Sequence, residues 1–319
     1  MRNQLFLVVS LVVASGAALA APIDWVPIRN PHNAADTASN CLGSPADCGS
    51  VDHAYYISKY ETTNPQYAEF LNAKATSDPL SLYHYAMDSD PRNGGISQNG
   101  STGSYTYTVK PGFENKPVAL VSFYDALRFA NWLNNGGGNA DTETGAYTIT
   151  PEGIANNTIE RNSGAQIFLP SENEWYKAAY FDGTSYFDYP AGLNAETTCA
   201  IPGATPNTAN CDYVVSAVTD VGAYAGSASP YGTFDQGGNV MEWNESTSGS
   251  NRGFRAGSWV FRADWLAASD PEVRSPDGER EYVGFRVASS VPEPEGTSLL
   301  AVAVLLGLTA RRKRHAKAL

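Results

Sequence analysis

A short strand-forming run followed by a helix cap and a helix occurs three times in this chain, and that order constrains its fold more than any other feature. In the first unit, residues 54–60 favour a strand, and Asn64 is placed to cap a helix that begins at Pro65. Proline suits the first helical position because no backbone N–H is needed there. Apolar residues recur at helical spacing in this helix and predict a buried stripe of Tyr67, Phe70 and Leu71.

The second and third units repeat this order. The second has an apolar run at 118–121 and a capping pair at Ser122–Asp125, and the third has a run at 167–169 and a capping box at Ser171–Glu174. The segment 185–229 lacks periodicity, and so much irregular chain needs disulfides or bound ions to hold it. Together these patterns predict a mixed α/β domain with short helices and many irregular segments.

The four cysteines are Cys41, Cys48, Cys199 and Cys211. Four cysteines allow three pairings, and the short separations favour Cys41–Cys48 and Cys199–Cys211. The spacings contain no C-x-x-C zinc pattern. Residues 21–51 are rich in Pro, Asn, Ala and Ser, and they predict a loosely structured arm that the first of these disulfides staples.

The N terminus has the order of a secretory signal peptide. One cation, Arg2, precedes the apolar run Leu5–Val13, and small residues follow at Ala18–Ala20. The apolar run is shorter than the roughly 20 residues that a membrane-spanning helix needs. We therefore expect residues 1–20 to be a signal peptide that signal peptidase removes after Ala20.

The C terminus shows a Pro-Glu-Pro sequence at 292–294, then the apolar stretch 297–310, then the basic cluster 311–314. This order resembles the PEP-CTERM sorting signal, which an exosortase is thought to cut near its Pro-Glu-Pro motif. Cations after an apolar segment hold that end on the cytoplasmic side of a membrane. We expect residues 290–319 to anchor the chain transiently in the inner membrane before it is sorted to the cell envelope or extracellular matrix; an ordinary tail anchor is the alternative.

Removing both ends leaves 15 Lys and Arg against 31 Asp and Glu, a net charge of −16. Such a charge disfavours nucleic acid and anionic lipid as partners, because both are polyanions. It is compatible with bound divalent cations.

A series of motifs in residues 52–289 resembles the formylglycine-generating enzyme, or sulfatase-modifying factor, family. In chain order they are YYISKYETTNPQYAEFLN, PVALVSFYDALRFANWLN, FLPSENEWYKAAY, GTFDQGGNVMEWNES, FRAGSWVFRADWLAASDPEV and YVGFRVA. The resemblance implies a single domain related to the C-type lectin fold, with little regular secondary structure and stabilising calcium. In the closing motifs, Gly257 and Gly284 are expected to let strands approach closely, and Arg286 is expected in a buried ion pair.

The resemblance also implies one calcium site. In the family an Asn-x-x-Gly-x-x-x-Glu segment binds calcium, an ion that prefers carboxylate and carbonyl oxygens. Carried over by position, the ligands are the side chains of Asp235 and Glu242 and the carbonyls of Gly238 and Val240. The alternative is a turn in which Glu242 only pairs with a nearby cation.

The cysteine pair that binds copper in the converting enzyme has no counterpart here. Its two positions are Phe261 and Leu266, and neither side chain can bind a metal or exchange a thiol. The resemblance therefore implies that copper and sulfatase cysteine oxidation are absent. Iron held by a histidine cluster, as in related sulfoxide synthases, is disfavoured because the exported part has just His32, His53 and His84, with no H-x-x-x-H pair.

Two functions remain open at this point. The first is a non-catalytic binding or structural module of the envelope or extracellular matrix, with a groove for a peptide or glycan. The alternative is an oxidoreductase of the sulfatase-modifying-factor and non-haem-iron superfamily with altered chemistry. No catalytic residue is predicted for either, since the chain lacks the G-x-S-x-G, P-loop, H-E-x-x-H and dinucleotide fingerprints.

Overall fold

The computed structural model describes residues 22–39, 41–42 and 47–290. The predicted signal peptide, and the predicted sorting tail apart from Ser290, lie outside these residues. Within the described ranges, no helix is long and apolar enough to cross a membrane.

The fold contains five α-helices, twelve short strands and one 3₁₀ helix, Ala263–Leu266, among the described residues. The helices are α1 (Asn64–Lys74), α2 (Ala86–Ser89), α3 (Phe123–Asn134), α4 (Pro151–Asn156) and α5 (Glu172–Tyr180). The strands are β1 (Trp25–Ile28), β2 (Tyr55–Ser58), β3 (Ile96–Asn99), β4 (Thr106–Val109), β5 (Ile167–Phe168), β6 (Thr198–Cys199), β7 (Thr208–Ala209), β8 (Met241–Ser248), β9 (Asn251–Arg255), β10 (Glu272–Arg274), β11 (Val283–Phe285) and β12 (Ala288–Ser289). The mixed α/β class predicted from the sequence is confirmed.

The first sheet joins the two ends of the domain, in the order β1-β2-β12-β5. Its strands are antiparallel, with Trp25 opposite Ser58 and Ala288 opposite both Ile57 and Phe168. β1 lies within residues 21–51, which were predicted to form a loose arm. The sheet therefore begins earlier than the sequence indicated, because β1 finds its partner in a strand about thirty residues further along the chain.

The second sheet has the order β10-β9-β8-β11. β8 is antiparallel to β9 and parallel to β11, and Glu242 lies opposite Gly284 in the parallel pair. A Cβ atom on Gly284 would lie 2.6 Å from the carbonyl oxygen of Val118, so the strand and the neighbouring chain meet only because residue 284 is glycine. The predicted close approach at this glycine is confirmed.

The helix caps follow the local sequence closely. Ser122 caps α3 and Ser171 caps α5, each in a capping box with the acid three residues on, as predicted. In α1 the cap is Thr63, one residue before the predicted Asn64, and the N–H of Thr63 is accepted by Gln66 Oε1 at 2.9 Å. Asn64 is instead the first helical residue, and Pro65 still lies in the first turn.

An aromatic cluster between α1 and α3 forms the centre of the core. Tyr67 and Phe70 of α1 pack against Phe129 of α3, with ring centroids 6.0 and 5.5 Å apart. Phe285 of β11 contacts Phe129 at 5.2 Å. The predicted stripe of Tyr67, Phe70 and Leu71 is fully buried, which joins the helix layer to the second sheet.

The run 118–121, predicted as a strand, is not one. Its residues are buried, but Leu120 has a φ of 64°, in the left-handed region, where a strand cannot continue. The N–H of Val118 is accepted by the carbonyl of Thr62, and that of Leu120 by the carbonyl of Arg280. Residues 118–121 are apolar because they are buried, and they do not pair as a regular strand.

Both predicted disulfides are confirmed. Cys41 is bonded to Cys48, and Cys199 to Cys211. The second disulfide joins the short parallel pair β6–β7 to the chain that follows it, inside the irregular stretch 185–229. It thus restrains the part of the chain with the least regular structure.

A buried ion pair connects the two sheets. Arg286 donates to Glu242 through Nε at 2.6 Å and through Nη2 at 2.7 Å, and both side chains are 0% exposed. The remaining N–H groups of Arg286 are accepted by the carbonyls of Ser58, Lys59 and Phe234. The predicted buried pair at Arg286 is confirmed, and the guanidinium is satisfied on every side.

The first prediction concerns this pair. Arg286→Met should lower the free energy of unfolding by about 3–5 kcal/mol, because it leaves the Glu242 carboxylate buried without a counter-charge. The double variant Arg286→Met with Glu242→Gln should recover part of that loss, since the unpaired charge is removed as well. Urea denaturation of the three proteins measures both values; a single variant within about 1 kcal/mol of the wild type would contradict this account.

Candidate functional site

The two positions that the resemblance assigns to copper-binding cysteines are packed with apolar groups. The Phe261 ring stacks on Trp265, with centroids 4.3 Å apart and an interplanar angle of 13°. Tyr282 meets the same ring edge-on at 5.4 Å. Leu266 is 0% exposed, and a Cβ atom on Gly257 would lie 2.7 Å from its Cδ1 atom. An aromatic stack and a buried aliphatic side chain therefore fill the place of the two thiols.

No thiol from elsewhere replaces them. All four cysteines lie in the described residues, and all four are in disulfides. Copper chemistry of the family type needs two thiolates at one site. The described residues provide none.

The predicted calcium segment begins at a turn in which Asp235 has a φ of 60° and Gly238 a φ of 86°. Asp235 Oδ2 accepts the N–H of Gly222 at 2.6 Å, and the residue lines a cavity of about 20 Å³ together with Tyr224 and Gly237. That volume is about the size of one water molecule or one ion. Burial raises the pKa of the Asp235 carboxyl to about 6.

The other predicted side-chain ligand, Glu242, is already bound. Its two oxygens accept from Arg286, and Oε2 also accepts from Trp175 Nε1 at 2.6 Å. This is the alternative that the sequence left open for Glu242. Within the described ranges, no group of three or more His, Cys, Asp and Glu side chains is arranged to hold a metal ion. Calcium at Asp235, Gly238, Val240 and Glu242 stays a prediction, with Asp235 as the carboxylate that faces a cavity.

Glu61 is a third buried carboxylate that sequence reasoning missed. Its Oε2 accepts from Asn239 Nδ2 at 2.8 Å, and its Oε1 accepts from the N–H of Val240 at 3.2 Å. Burial raises the pKa of Glu61 well above its usual range, and the charges of Asp235 and Glu242 raise it further. No local pattern marks Glu61, because its partners lie 178 and 179 residues away in the chain.

A cleft of about 370 Å³ lies elsewhere, at the start of α5. Its walls come from separate parts of the chain: the loop 159–161, the first residues of α5, the end of β8, and Arg252 of β9. The lining residues are Leu42, Phe123, Tyr147, Ile159, Glu160, Arg161, Ser171, Glu172, Asn173, Glu245, Ser246, Thr247 and Arg252. We call this space the α5 cleft. Sequence reasoning missed it, since its walls meet only in the folded chain.

A charge network forms one wall of the α5 cleft. Arg161 binds Glu174 and Glu245, each with an N–O distance of 2.6 Å, and its guanidinium lies 3.6 Å from the centre of the Phe168 ring. Tyr147 donates to Glu245 Oε1 at 2.6 Å. The hydrogen bond that His53 Nε2 donates to Glu174 Oε1, 2.9 Å away, raises the pKa of His53.

The network determines the ionisation of Glu174. Burial alone would raise the pKa of this carboxyl, but the charge of Arg161 and the hydrogen bonds from His53 and Arg161 lower it to about 2. A carboxyl whose pKa is lower in the folded state than in the unfolded chain stabilises the fold above its unfolded pKa of about 4.5. That stabilisation is lost as the pH falls from there towards 2.

We expect Glu174→Gln to remove this part of the acid sensitivity. Between pH 6 and pH 2 the advantage of the wild type over the variant should shrink by roughly 3 kcal/mol, from the size of the pKa shift. Urea denaturation across this pH range measures it, with Glu152→Gln, an exposed residue of α4, as the control. If the free energies of unfolding of the wild type and Glu174→Gln changed in parallel with pH, the network would not be what lowers the pKa of Glu174.

Comparison with known proteins assigns this chain to a family. The sulfatase-modifying factor enzyme 1-like domain matches residues 28–291. The solved structure of CarF is similar over 85% of this chain and 99% of its own, with a TM-score of 0.52 and 21% identity. That likeness concerns the fold alone, and it supports the C-type-lectin-related architecture that the motifs implied.

Two curated relatives match over shorter shares of their own length. The serine/threonine-protein kinase pkn1 of Chlamydia caviae is 22% identical over 259 residues, which are 75% of this chain and 33% of the kinase. The inactive C-alpha-formylglycine-generating enzyme 2 of Mus musculus is 32% identical over 138 residues, 40% of this chain and 44% of that protein. This chain therefore spans about a third to less than half of these relatives. Because the family match covers residues 28–291 of 319, the chain belongs to the sulfatase-modifying factor enzyme 1-like family.

Proposed function

We propose that this protein is a non-catalytic recognition or structural module built on the fold of the formylglycine-generating enzymes. One observation carries the proposal: a Phe261–Trp265 stack and a fully buried Leu266 occupy the positions of the copper-binding cysteines. Copper that activates oxygen for the oxidation of a substrate cysteine would need soft thiolate ligands, and aromatic and aliphatic carbons cannot replace them. The mouse relative described as inactive is compatible with this proposal.

The test is an assay of the purified mature chain with a cysteine-containing sulfatase peptide, oxygen and copper. We expect no formylglycine in the peptide by mass spectrometry and no oxygen uptake above the buffer rate. An active formylglycine-generating enzyme serves as the positive control. Oxygen uptake together with stoichiometric copper or iron in the purified protein would overturn the proposal and favour an oxidoreductase with altered chemistry.

We further propose that the module works outside the cytoplasm. The order of cation, apolar run and small residues at 1–20 supports export, and the Pro-Glu-Pro, apolar and basic order at 290–319 supports sorting to the envelope or matrix. Two disulfides agree with an oxidising compartment. Signal peptidase and an exosortase are the processing partners in this proposal.

Intact-mass analysis of the protein from fractions of its native cell tests the processing. The N terminus should be Ala21, and the C terminus should lie near the Pro-Glu-Pro sequence at 292–294. A variant with these three residues changed to Ala should keep its tail and stay with the membrane. Full-length protein in the cytoplasm would contradict both cleavages.

A calcium ion with a stabilising role is proposed at the side chains of Asp235 and Glu242 and the carbonyls of Gly238 and Val240, with Asp235 as the carboxylate that is not bound to Arg286. Support comes from the family motif and from the small cavity that Asp235 faces. Chelator should lower the Tm of the wild type, and Asp235→Ala should lower the Tm and abolish its dependence on chelator. Asp277→Ala, at an exposed position far along the chain from the segment, is the control. A thermal transition of the wild type that does not respond to calcium or to chelator would exclude the ion. Variants of Glu242 cannot test the calcium site, because they also break the ion pair with Arg286.

A further inference from the structure

The α5 cleft has the size and the walls of a small-molecule site. Its volume of about 370 Å³ is at the lower end of the range of about 300–1,000 Å³ for such sites. Leu42, Phe123 and Ile159 provide apolar wall, and side chains of four separate segments provide polar groups. It is formed by elements other than the 3₁₀ helix that carries Leu266, so it is independent of the lost catalytic position.

The charges around the cleft do not favour an ionic ligand. Two arginines and three glutamates line it, so its formal charge is −1. Arg161 is neutralised by Glu174 and Glu245, and Glu172 is bound to Arg255 at 2.7 Å. An anion would meet excess negative charge, and a cation would find most of the carboxylates already paired.

Arg252 is the buried polar group that faces the cleft without full partners. It is 2% exposed, and its guanidinium lies 4.4 Å from the centre of the Phe123 ring. Four of its five N–H groups are accepted by Asn157 Oδ1 and by the carbonyls of Glu245, Asn157 and Ile159. It has no ion pair with any carboxylate of the described residues. One donor on Nη1 is thus available to a neutral oxygen of a ligand.

The edge of the α5 cleft adds hydrogen-bond donors and acceptors that have no partner in the described part of the chain. Asn173 accepts the N–H of Gly49 through Oδ1, which leaves its amide N–H groups available. Thr247 and Glu160 are exposed and make no side-chain hydrogen bond to other described residues. A ligand that both donates and accepts at several points would satisfy these groups, and the hydroxyls of a sugar have that property.

A peptide is less suited to this cleft. Peptides commonly bind by pairing with a free strand edge. The strand residues here belong to β8 and β9, where Thr247 lies opposite Arg252. The N–H groups of Glu245 and Ser246 are accepted by the carbonyl of Pro170 and by Asn244 Oδ1, so these strands do not offer a peptide a continuous free edge at the cleft. Recognition must therefore rely on side chains.

We propose that the α5 cleft binds a neutral sugar residue of a glycan, with Asn173, Thr247, Glu160 and the free N–H of Arg252 as its hydrogen-bonding groups. Leu42 and Ile159 pack against the C–H face of the ring. This inference rests on the proposed function, since it identifies the ligand class and the site of the recognition module.

The experiment uses the mature chain and a panel of probes: the methyl glycosides of glucose, galactose and mannose, with glucuronate and glucosamine as charged probes and a cysteine-containing peptide as the macromolecular alternative. Ligand-observed NMR and calorimetry measure Kd. We expect at least one neutral glycoside to bind and both charged sugars to bind more weakly. Asn173→Ala should weaken binding about tenfold, from the loss of one hydrogen bond.

Thr247→Trp, which fills the cleft from an exposed position, should abolish glycoside binding. Thr102→Trp, also exposed but outside the cleft, should bind as the wild type does, and equal thermal transitions confirm that both variants are folded. Three results would each overturn the proposal: no glycoside binding, wild-type affinity in Thr247→Trp, or a preference for glucuronate. Peptide binding with neither sugar binding nor oxygen uptake would overturn the glycan proposal and remain consistent with a non-catalytic module. Oxygen uptake would instead overturn the proposed function itself.

Discussion

The ion pair between Arg286 and Glu242 lies where the two sheets meet, and several separate segments of the chain are arranged around it. Arg286 lies between β11 and β12, so it connects the second sheet to the first. Its other donors reach the carbonyls of Ser58 and Lys59, at the end of β2, and the carbonyl of Phe234, next to Asp235. A buried charge pair of this kind need not add net stability, but its strict geometry restricts how the loops can pack around it.

Around this anchor, the chain has the fold of its family, and Phe261 and Leu266 occupy the positions that the resemblance assigns to two cysteines. The 3₁₀ helix Ala263–Leu266 follows Phe261 directly, and the aromatic stack at Phe261 is part of the packing. Function in such folds resides in the side chains grafted onto the frame. A fold can therefore be retained while the side chains at one position differ, and the activity must be argued from those side chains.

The sequence predicted what depends on near neighbours. The caps at Ser122 and Ser171 and both disulfides involve short separations, and the structure confirms them. Long-range features were missed or mistaken: β1 was predicted as loose chain, and Glu61 was not recognised because Asn239 is 178 residues away. The buried run at 118–121 was mistaken for a strand, because burial produces an apolar pattern whether or not a ladder forms.

The first sheet is completed by the last strand of the domain. β12 lies between β2 and β5, so two of the three strand pairs in that sheet require residues 288–289. A chain synthesised from its N terminus cannot finish this sheet until nearly the whole domain has been made. Contacts between such distant residues also slow folding. The topology thus makes closure of the first sheet wait for the C-terminal end of the domain.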